Sequence, residues 1–194
     1  MNRASLKAAA KHQIKGNIGI LFLIGLLNSL IVGALSVIPL VGTIAGMLLS
    51  AAFALAVINI YMELTRGRRP EVGDLFSQVR NLLPAFCTQF LMGLFAFLWS
   101  LLLLIPGIIK ACSYSQAMYI LADNPNLSPT EAINRSKEMM QGHKMEYFLL
   151  NLSFLGWIFL GVFTFGILYI WLIPYMQATF ASYYKRLNGV SIVE

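Results

Sequence analysis

Charged side chains are scarce in this sequence. Asp, Glu, Lys and Arg make up only 11% of its 194 residues, and 58% are hydrophobic, whereas soluble domains carry roughly a quarter charged residues. Apolar runs recur at about 20 residues, the length that an α-helix needs to cross the hydrocarbon core of a bilayer. The composition therefore excludes an ordinary soluble domain and predicts an all-α, polytopic membrane protein.

Metal-ligating and catalytic side chains are also few. Cys87 and Cys112 lie in separate apolar runs without a CxxC spacing, and His143 has only Glu146 beside it, whereas a metal site usually needs three or four ligands. There is no phosphate-binding glycine loop and no Ser/His/Asp pattern. We therefore expect no cofactor, no metal and no enzymatic activity; an intramembrane lipid enzyme ranks last, because only His143, Asp123 and Glu146 would serve it.

Six apolar stretches are long enough to be considered as spans. The stretch from Tyr147 to Tyr184 has no charge, and as one helix it would be about 57 Å long, so we expect it to fold back near 164–166. Proline and glycine at Pro39, Gly42 and Pro106-Gly107 predict the other turns. The predicted spans are Ile18 to Ile38, Thr43 to Met62, Ala85 to Ile105, Ile108 to Ala122 and the two halves of Tyr147 to Tyr184, which form three hairpins.

The distribution of basic residues predicts the orientation. With the N-terminus in the cytoplasm, 13 of the 14 Lys and Arg residues lie on the inner side, and Lys110 is the exception. Such one-sidedness follows the positive-inside rule. We therefore expect both termini to be cytoplasmic.

A basic amphipathic segment precedes each predicted hairpin, and we expect each to be a cytoplasmic interfacial helix. The third has a capping box at Ser128 to Glu131 and a stop at Gly142, and Lys15-Gly16-Asn17 faintly resembles Gln141-Gly142-His143. One integral membrane domain, 1–194, would then contain three repeated units of about 1–66, 67–125 and 126–194, although any hairpin protein with basic inner loops looks repeated. The apolar faces are Leu6, Ala10 and Ile14; Leu75, Val79 and Leu82; and Ile133, Met140 and Tyr147.

Lys110 is the first candidate for a binding residue, because a charge within the hydrocarbon is costly and often functional. Ser113 and Tyr114 share its helix face, and Tyr175 and Gln177, beside Pro174, can complete an outward-facing polar pocket for a phosphate headgroup or a small anion. The alternative is that Lys110 lies one turn from the surface and extends its amine to the headgroups.

The basic inner face predicts contact with anionic phospholipid, because each Lys or Arg near such a surface contributes about 1 kcal/mol. No solvent-facing basic domain exists that would bind nucleic acid. The residues expected to contact anionic lipid are Lys7, Lys11, Lys15, Arg66, Arg68, Arg69 and Lys144.

Four sequence blocks, IPGIIKA, YILADNP, SKEMMQGHK and WLIPY, resemble a family of small bacterial membrane proteins known as domain of unknown function family 975. The family is more distantly similar to the membrane domains of some glycerophosphodiester phosphodiesterases, which hints at a lipid-linked role. The resemblance implies a bacterial cytoplasmic membrane and a set of motif positions: Lys110, Asp123, Asn124, Pro125, Ser136, Gly142, His143, Lys144 and Pro174.

The function expected from the sequence is non-enzymatic binding of lipid or of a membrane protein partner, in support of envelope homeostasis or assembly. The basic amphipathic segments and the missing catalytic motifs favour it. The alternative is a small transporter or channel with its polar site around Lys110 and Pro174. A hydrated path from the outer face would favour transport, and a dry or lipid-filled bundle would favour binding.

Overall fold

A computed structural model describes residues 3–37, 41–102, 104–164 and 166–189. This part of the chain consists of helices and turns and has no β-strand, as the all-α prediction requires. Two short 3₁₀ helices cover Val72–Phe76 and Val79–Asn81. The α-helices are α1 (Arg3–Ile14), α2 (Ile18–Ser36), α3 (Val41–Leu64), α4 (Leu82–Leu102), α5 (Leu104–Tyr114), α6 (Ala117–Asp123), α7 (Pro129–Met139), α8 (Lys144–Phe163) and α9 (Tyr169–Leu187).

Four helical stretches are long and apolar enough to cross a membrane: Ile18–Leu35, Ile44–Leu64, Val72–Leu101 and Lys144–Phe163. The two other predicted spans do not reach this standard among the described residues. Ile108 to Ala122 is divided between α5 and α6, and α9 ends in Lys185 and Arg186. The predicted fold-back near 164–166 coincides with the break between α8 and α9. Of the predicted turn at Pro39 and Gly42, Pro39 lies outside the described residues, and Gly42 lies in the first turn of α3 rather than in a turn between helices.

Helix α3 lies at the centre of the bundle. It packs against α2, α4, α6 and α9, and 44% of its apolar window is buried, against 11 to 17% in the other three long stretches. Those peripheral helices direct large apolar side chains outward, for example Leu30, Phe97 and Phe159. Exposed apolar surface on this scale is unusual for a soluble monomer, and lipid would cover it.

Helix α1 has the predicted apolar face, but that face contacts protein. Leu6, Ala10 and Ile14 are almost completely buried, and α1 packs along α9, with Leu6 in one cluster with Leu150 and Phe154. Protein therefore covers this apolar face, and an interfacial position of α1 stays a prediction. A hydrophobic stripe predicts burial, and it does not distinguish a lipid surface from a neighbouring helix.

The second amphipathic segment is irregular, which corrects the prediction of a regular interfacial helix. The two 3₁₀ helices and the turn between them replace a continuous α-helix, and of the predicted face only Leu75 is fully buried, while Val79 is exposed. Asp74 closes a local hydrogen-bonded turn by accepting a bond from the Glu71 backbone at 2.9 Å. Such local bonding by a short acidic side chain competes with continuous α-helix.

The third amphipathic segment has the predicted capping box, but its predicted apolar face is divided. Ile133 lies on α7, Met140 caps that helix and Tyr147 lies on α8, and Ile133 and Met140 are buried in different clusters of the protein. Ser128 Oγ accepts a hydrogen bond from the Glu131 backbone at 3.3 Å, and Glu131 Oε2 accepts one from the Ser128 backbone at 3.1 Å. Hydrogen bonds from Ser128 lower the pKa of the Glu131 carboxyl. The stability that this provides is present above the ordinary carboxyl pKa and is lost as the pH falls through the lowered one.

Two glycines give the same geometry after two amphipathic helices. Gly16 follows α1 with φ of 88°, and Gly142 follows α7 with φ of 77°. Positive φ suits glycine, because it has no Cβ to clash with the backbone. The faint sequence similarity between these two segments therefore has a shared local structure, and each leads into a long apolar helix.

The predicted break at Pro106-Gly107 lies inside α5, and Leu103, between α4 and α5, is outside the described residues. α4 ends at Leu102 and α5 begins at Leu104, so Pro106 lies in the first turn of α5, where its missing N–H has no intrahelical partner to lose. A Cβ on Gly107 would lie 2.7 Å from Ser100 Cα. Gly107 therefore allows α5 to pack closely against α4.

We expect Gly107→Ala to destabilise the folded protein by about 1 to 3 kcal/mol, because the added methyl must push two backbones apart. Thermal unfolding in detergent measures the change. Gly93→Ala in α4 is the matched control, because a Cβ there meets nothing within 4 Å; it should leave stability unchanged or raise it by up to about 1 kcal/mol. Equal effects of the two substitutions would contradict the close approach.

Candidate functional site

Three of the five predicted binding residues lie on α5. Lys110 Nζ lies 4.5 Å from the centre of the Trp99 ring, a cation–π contact. Ser113 and Tyr114 are buried, and the Tyr114 ring contacts Phe95 on α4 and lies 5.7 Å from Lys137 Nζ on α7. This group therefore lies among α4, α5 and α7.

The other two predicted residues lie on α9 in different surroundings. Tyr175 stacks on Trp171 with ring centres 4.7 Å apart and meets Phe154 edge-on. Gln177 lines a cavity shared with α2 and α3, as does Pro174, whereas none of the α5 residues lines it. A ligand contact for any of these residues stays a prediction.

The residues predicted to contact anionic lipid differ in their surroundings. Lys7 Nζ lies 4.3 Å from the centre of the Phe154 ring, Arg66 pairs with Asp123, and Arg68 pairs with Glu63 at 2.6 Å. Lys11, Lys15 and Arg69 are exposed, and Lys144 is partly exposed.

Asp123 is the centre of the most deeply buried charge cluster in the described chain. Its carboxylate accepts hydrogen bonds from Lys185 Nζ at 3.1 Å, from the Tyr184 hydroxyl at 3.0 Å and from Arg66 at 3.3 Å. Lys185 is 1% exposed, although Arg66 is 52% exposed. The cluster, Arg66, Asp123, Tyr184 and Lys185, joins the C-terminal ends of α3, α6 and α9, so it is a structural junction.

Ser136 explains why α5 and α6 are separate helices. Its hydroxyl, fully buried on α7, donates to the Ser113 carbonyl at 2.8 Å and accepts from the Gln116 backbone at 3.1 Å. One side chain thus satisfies a carbonyl at the end of α5 and an N–H at the start of α6, both of which a helix break leaves without intrahelical partners.

A groove of about 470 Å³ lies between α2 and α9, with α3 as its floor. We call it the α2–α9 groove. Its walls come from α2 between Leu21 and Ser29, from α3 between Val57 and Tyr61, and from α9 between Tyr169 and Gln177, with Gly166 in the turn before α9. Its lining is mainly apolar, with Asn28 and Gln177 as the amide-bearing residues, and Asn28 Oδ1 has no hydrogen-bond partner in the described chain. The volume lies within the range of small-molecule sites.

Sequence reasoning missed the Asp123–Lys185 pair and the groove. The signal for the pair was weak but present, because Lys185 directly follows the uncharged stretch and lies beside Tyr183 and Tyr184. The groove has no sequence signal, since its walls come from three helices. Among the described residues, no group of three His, Cys, Asp or Glu side chains lies close enough to hold a metal ion.

Comparison with known protein families gives a match over the second half of the chain. Residues 101–191, from the end of α4 through α9, match a family described as Protein of unknown function (DUF975). No curated protein and no solved structure matches the chain, and the more distant similarity to glycerophosphodiester phosphodiesterase membrane domains stays a prediction. The matched segment contains Asp123, Ser136 and Lys185 and confirms the resemblance first noted in the sequence blocks, which identifies residues 101–191 as a DUF975 region.

Proposed function

We propose that this chain is a non-enzymatic protein of the bacterial cytoplasmic membrane that binds the apolar chain of a lipid, with both termini cytoplasmic. The α2–α9 groove is the observation that carries this proposal. It offers about 470 Å³ of mainly apolar space, and it lies beside helices whose apolar side chains face outward.

The groove's wall residues favour a lipid chain over a soluble ligand. Ile170 and Ile173 of α9 and Phe22 and Leu26 of α2 line the groove and are also exposed at the surface. The groove therefore opens toward the surface that the bilayer would cover, so a chain can enter sideways without crossing water. Asn28 and Gln177 can hydrogen-bond an ester or hydroxyl group of the lipid, because polar side chains within membrane spans commonly form hydrogen bonds.

The topology that we propose retains six crossings in three hairpins. The four long stretches are the strongest candidates. α5 and α6 together contain 18 residues across a two-residue break, and α9 contains 19 residues, which is about 28 Å of helix and close to the hydrocarbon thickness. In this topology, Lys185 and Arg186 in the last turn of α9 lie at the inner surface, as the positive-inside rule expects.

Filling the groove tests the proposal. In nanodiscs that contain a phospholipid with a photoreactive group in its acyl chain, we expect cross-links to concentrate on α2 and α9. Ile173→Trp places a bulky ring in the groove. It should reduce both the number of these cross-links and the amount of lipid retained in native mass spectrometry by roughly tenfold, which corresponds to about 1.4 kcal/mol of binding free energy.

The matched control is Leu155→Trp on α8, because Leu155 is 46% exposed and Ile173 is 55% exposed, but Leu155 does not line the groove. It should leave both readouts unchanged. Cross-links spread evenly over all exposed helix faces, or lost equally in both variants, would rule out a specific chain site.

A further inference from the structure

A second, basic pocket of about 240 Å³ lies next to the inner end of the groove. The C-terminal ends of α1 and α3 and the loops that follow them form it, and no carboxylate lines it in the part of the chain that the structure describes. We call this cavity the basic pocket. The polar residues that line it are His12, Gln13, Lys15, Asn17, Arg68 and Arg69.

Two of its cations have no ion pair within the described residues. Arg68 is held by Glu63 at 2.6 Å and by Asp74 at 3.2 Å, so its charge is largely balanced. Lys15 and Arg69 are exposed, and neither forms a salt bridge in this part of the structure. The pocket therefore has an excess positive charge, and the guanidinium fork and the ammonium are both groups that bind phosphate.

Gln13 adds an independent sign of a missing ligand. Its side chain is 9% exposed, and its Oε1 accepts a hydrogen bond from Ser182 Oγ at 3.2 Å. The amide nitrogen, Nε2, is buried and has no partner among the described residues. A buried donor without an acceptor is costly, and buried polar groups are normally paired. Gln13 lines the pocket, so a rotation of its amide toward a bound phosphate would supply the missing acceptor.

From these observations we infer that the basic pocket binds a phosphate group, with Lys15 and Arg69 opposing its charge and Gln13 donating a hydrogen bond. The phosphate site is inferred from the pocket residues alone, whereas its assignment to a lipid headgroup rests on the proposed function. Asn17 and Leu64 of the pocket lie within about one turn of Leu21 and Tyr61 of the groove, which is about 6 Å. One phospholipid can therefore place its headgroup in the pocket and a chain in the groove.

Binding by the full-length protein in neutral-lipid nanodiscs tests this inference. The probes are inorganic phosphate, glycerol 3-phosphate, phosphatidylglycerol and, as the lipid without phosphate, diacylglycerol. We expect Lys15→Gln with Arg69→Gln to weaken binding of phosphate-bearing probes by tenfold or more. Arg80→Gln with Arg135→Gln removes the same charge from exposed positions outside the pocket and should leave binding unchanged.

The probes separate the two sources of phosphate. Binding of phosphatidylglycerol alone supports a lipid headgroup, and binding of the soluble phosphates supports a free metabolite. Failure of the wild-type protein to bind any phosphate-bearing probe, or equal binding by the pocket and control double variants, would overturn the site. If Ile173→Trp loses phosphatidylglycerol binding and the Lys15→Gln, Arg69→Gln double variant keeps it, the groove is supported and the basic pocket is rejected. If the double variant loses this binding and Ile173→Trp keeps it, the basic pocket is supported and the groove is rejected.

Discussion

Replacing Asp123 with asparagine should destabilise the folded protein by about 3 to 5 kcal/mol, because it leaves a buried ammonium without its counterion. Lys185 is 1% exposed, and Asp123 lies 3.1 Å from its Nζ. The substitution also weakens the bond from the Tyr184 hydroxyl. Thermal unfolding or resistance to denaturing detergent, measured on the purified full-length protein, provides the comparison with wild type.

Three further variants show whether burial of the pair causes the loss. Glu138→Gln removes the same charge from an exposed position on α7 and should change stability by less than about 0.5 kcal/mol. Arg66→Gln removes the exposed cation of the cluster and should cost at most about 1 kcal/mol. Adding Lys185→Met to Asp123→Asn should restore part of the stability, because no unpaired charge remains. If Asp123→Asn and Glu138→Gln behave alike, the cluster does not hold the three helix ends together.

Phe154→Ala should cost about 3 to 5 kcal/mol, the usual loss when a buried phenylalanine becomes a cavity. Phe154 is fully buried, its ring meets Tyr175 and Phe180 edge-on, and Lys7 Nζ lies 4.3 Å from its centre. It therefore joins α8 to both α1 and α9. Denaturant or thermal unfolding of the purified protein measures the loss.

Phe159→Ala is the control on the same helix, because Phe159 is 63% exposed and its removal leaves no internal cavity. It should cost less than about 1 kcal/mol. Phe154→Leu should fall between the two, since it keeps most of the buried volume and loses the aromatic contacts. A Phe154→Ala loss no larger than that of Phe159→Ala would show that α8 does not pack as the structure places it.

The features that the sequence predicted correctly depend on short segments. Ser128 and Glu131 form their capping box within four residues, and Gly142 ends the helix that follows. Such features need only local backbone geometry and hydrogen bonding. The break near 164–166 was predictable for a similar reason, since an uncharged stretch of that length exceeds the thickness of one bilayer.

The features that the sequence did not predict depend on distant partners. The break between α5 and α6 needs the hydroxyl of Ser136, which is 20 residues from Gln116 in sequence. The apolar face of α1 packs on α9, although its sequence is equally suited to the surface of a membrane. Asp123 and Lys185 are 62 residues apart, and no spacing rule connects them.

The all-α class, the membrane character of the long helices and the ends of several helices follow from the amino-acid order alone, because hydrophobicity, segment length and helix caps act over short distances. Tertiary structure decided which apolar faces meet protein, which ionic groups are buried together and where α2, α3 and α9 leave a groove. Those outcomes depend on packing between segments that are far apart in the chain. The residues proposed to bind a lipid chain and a phosphate group therefore emerge only when the helices are assembled.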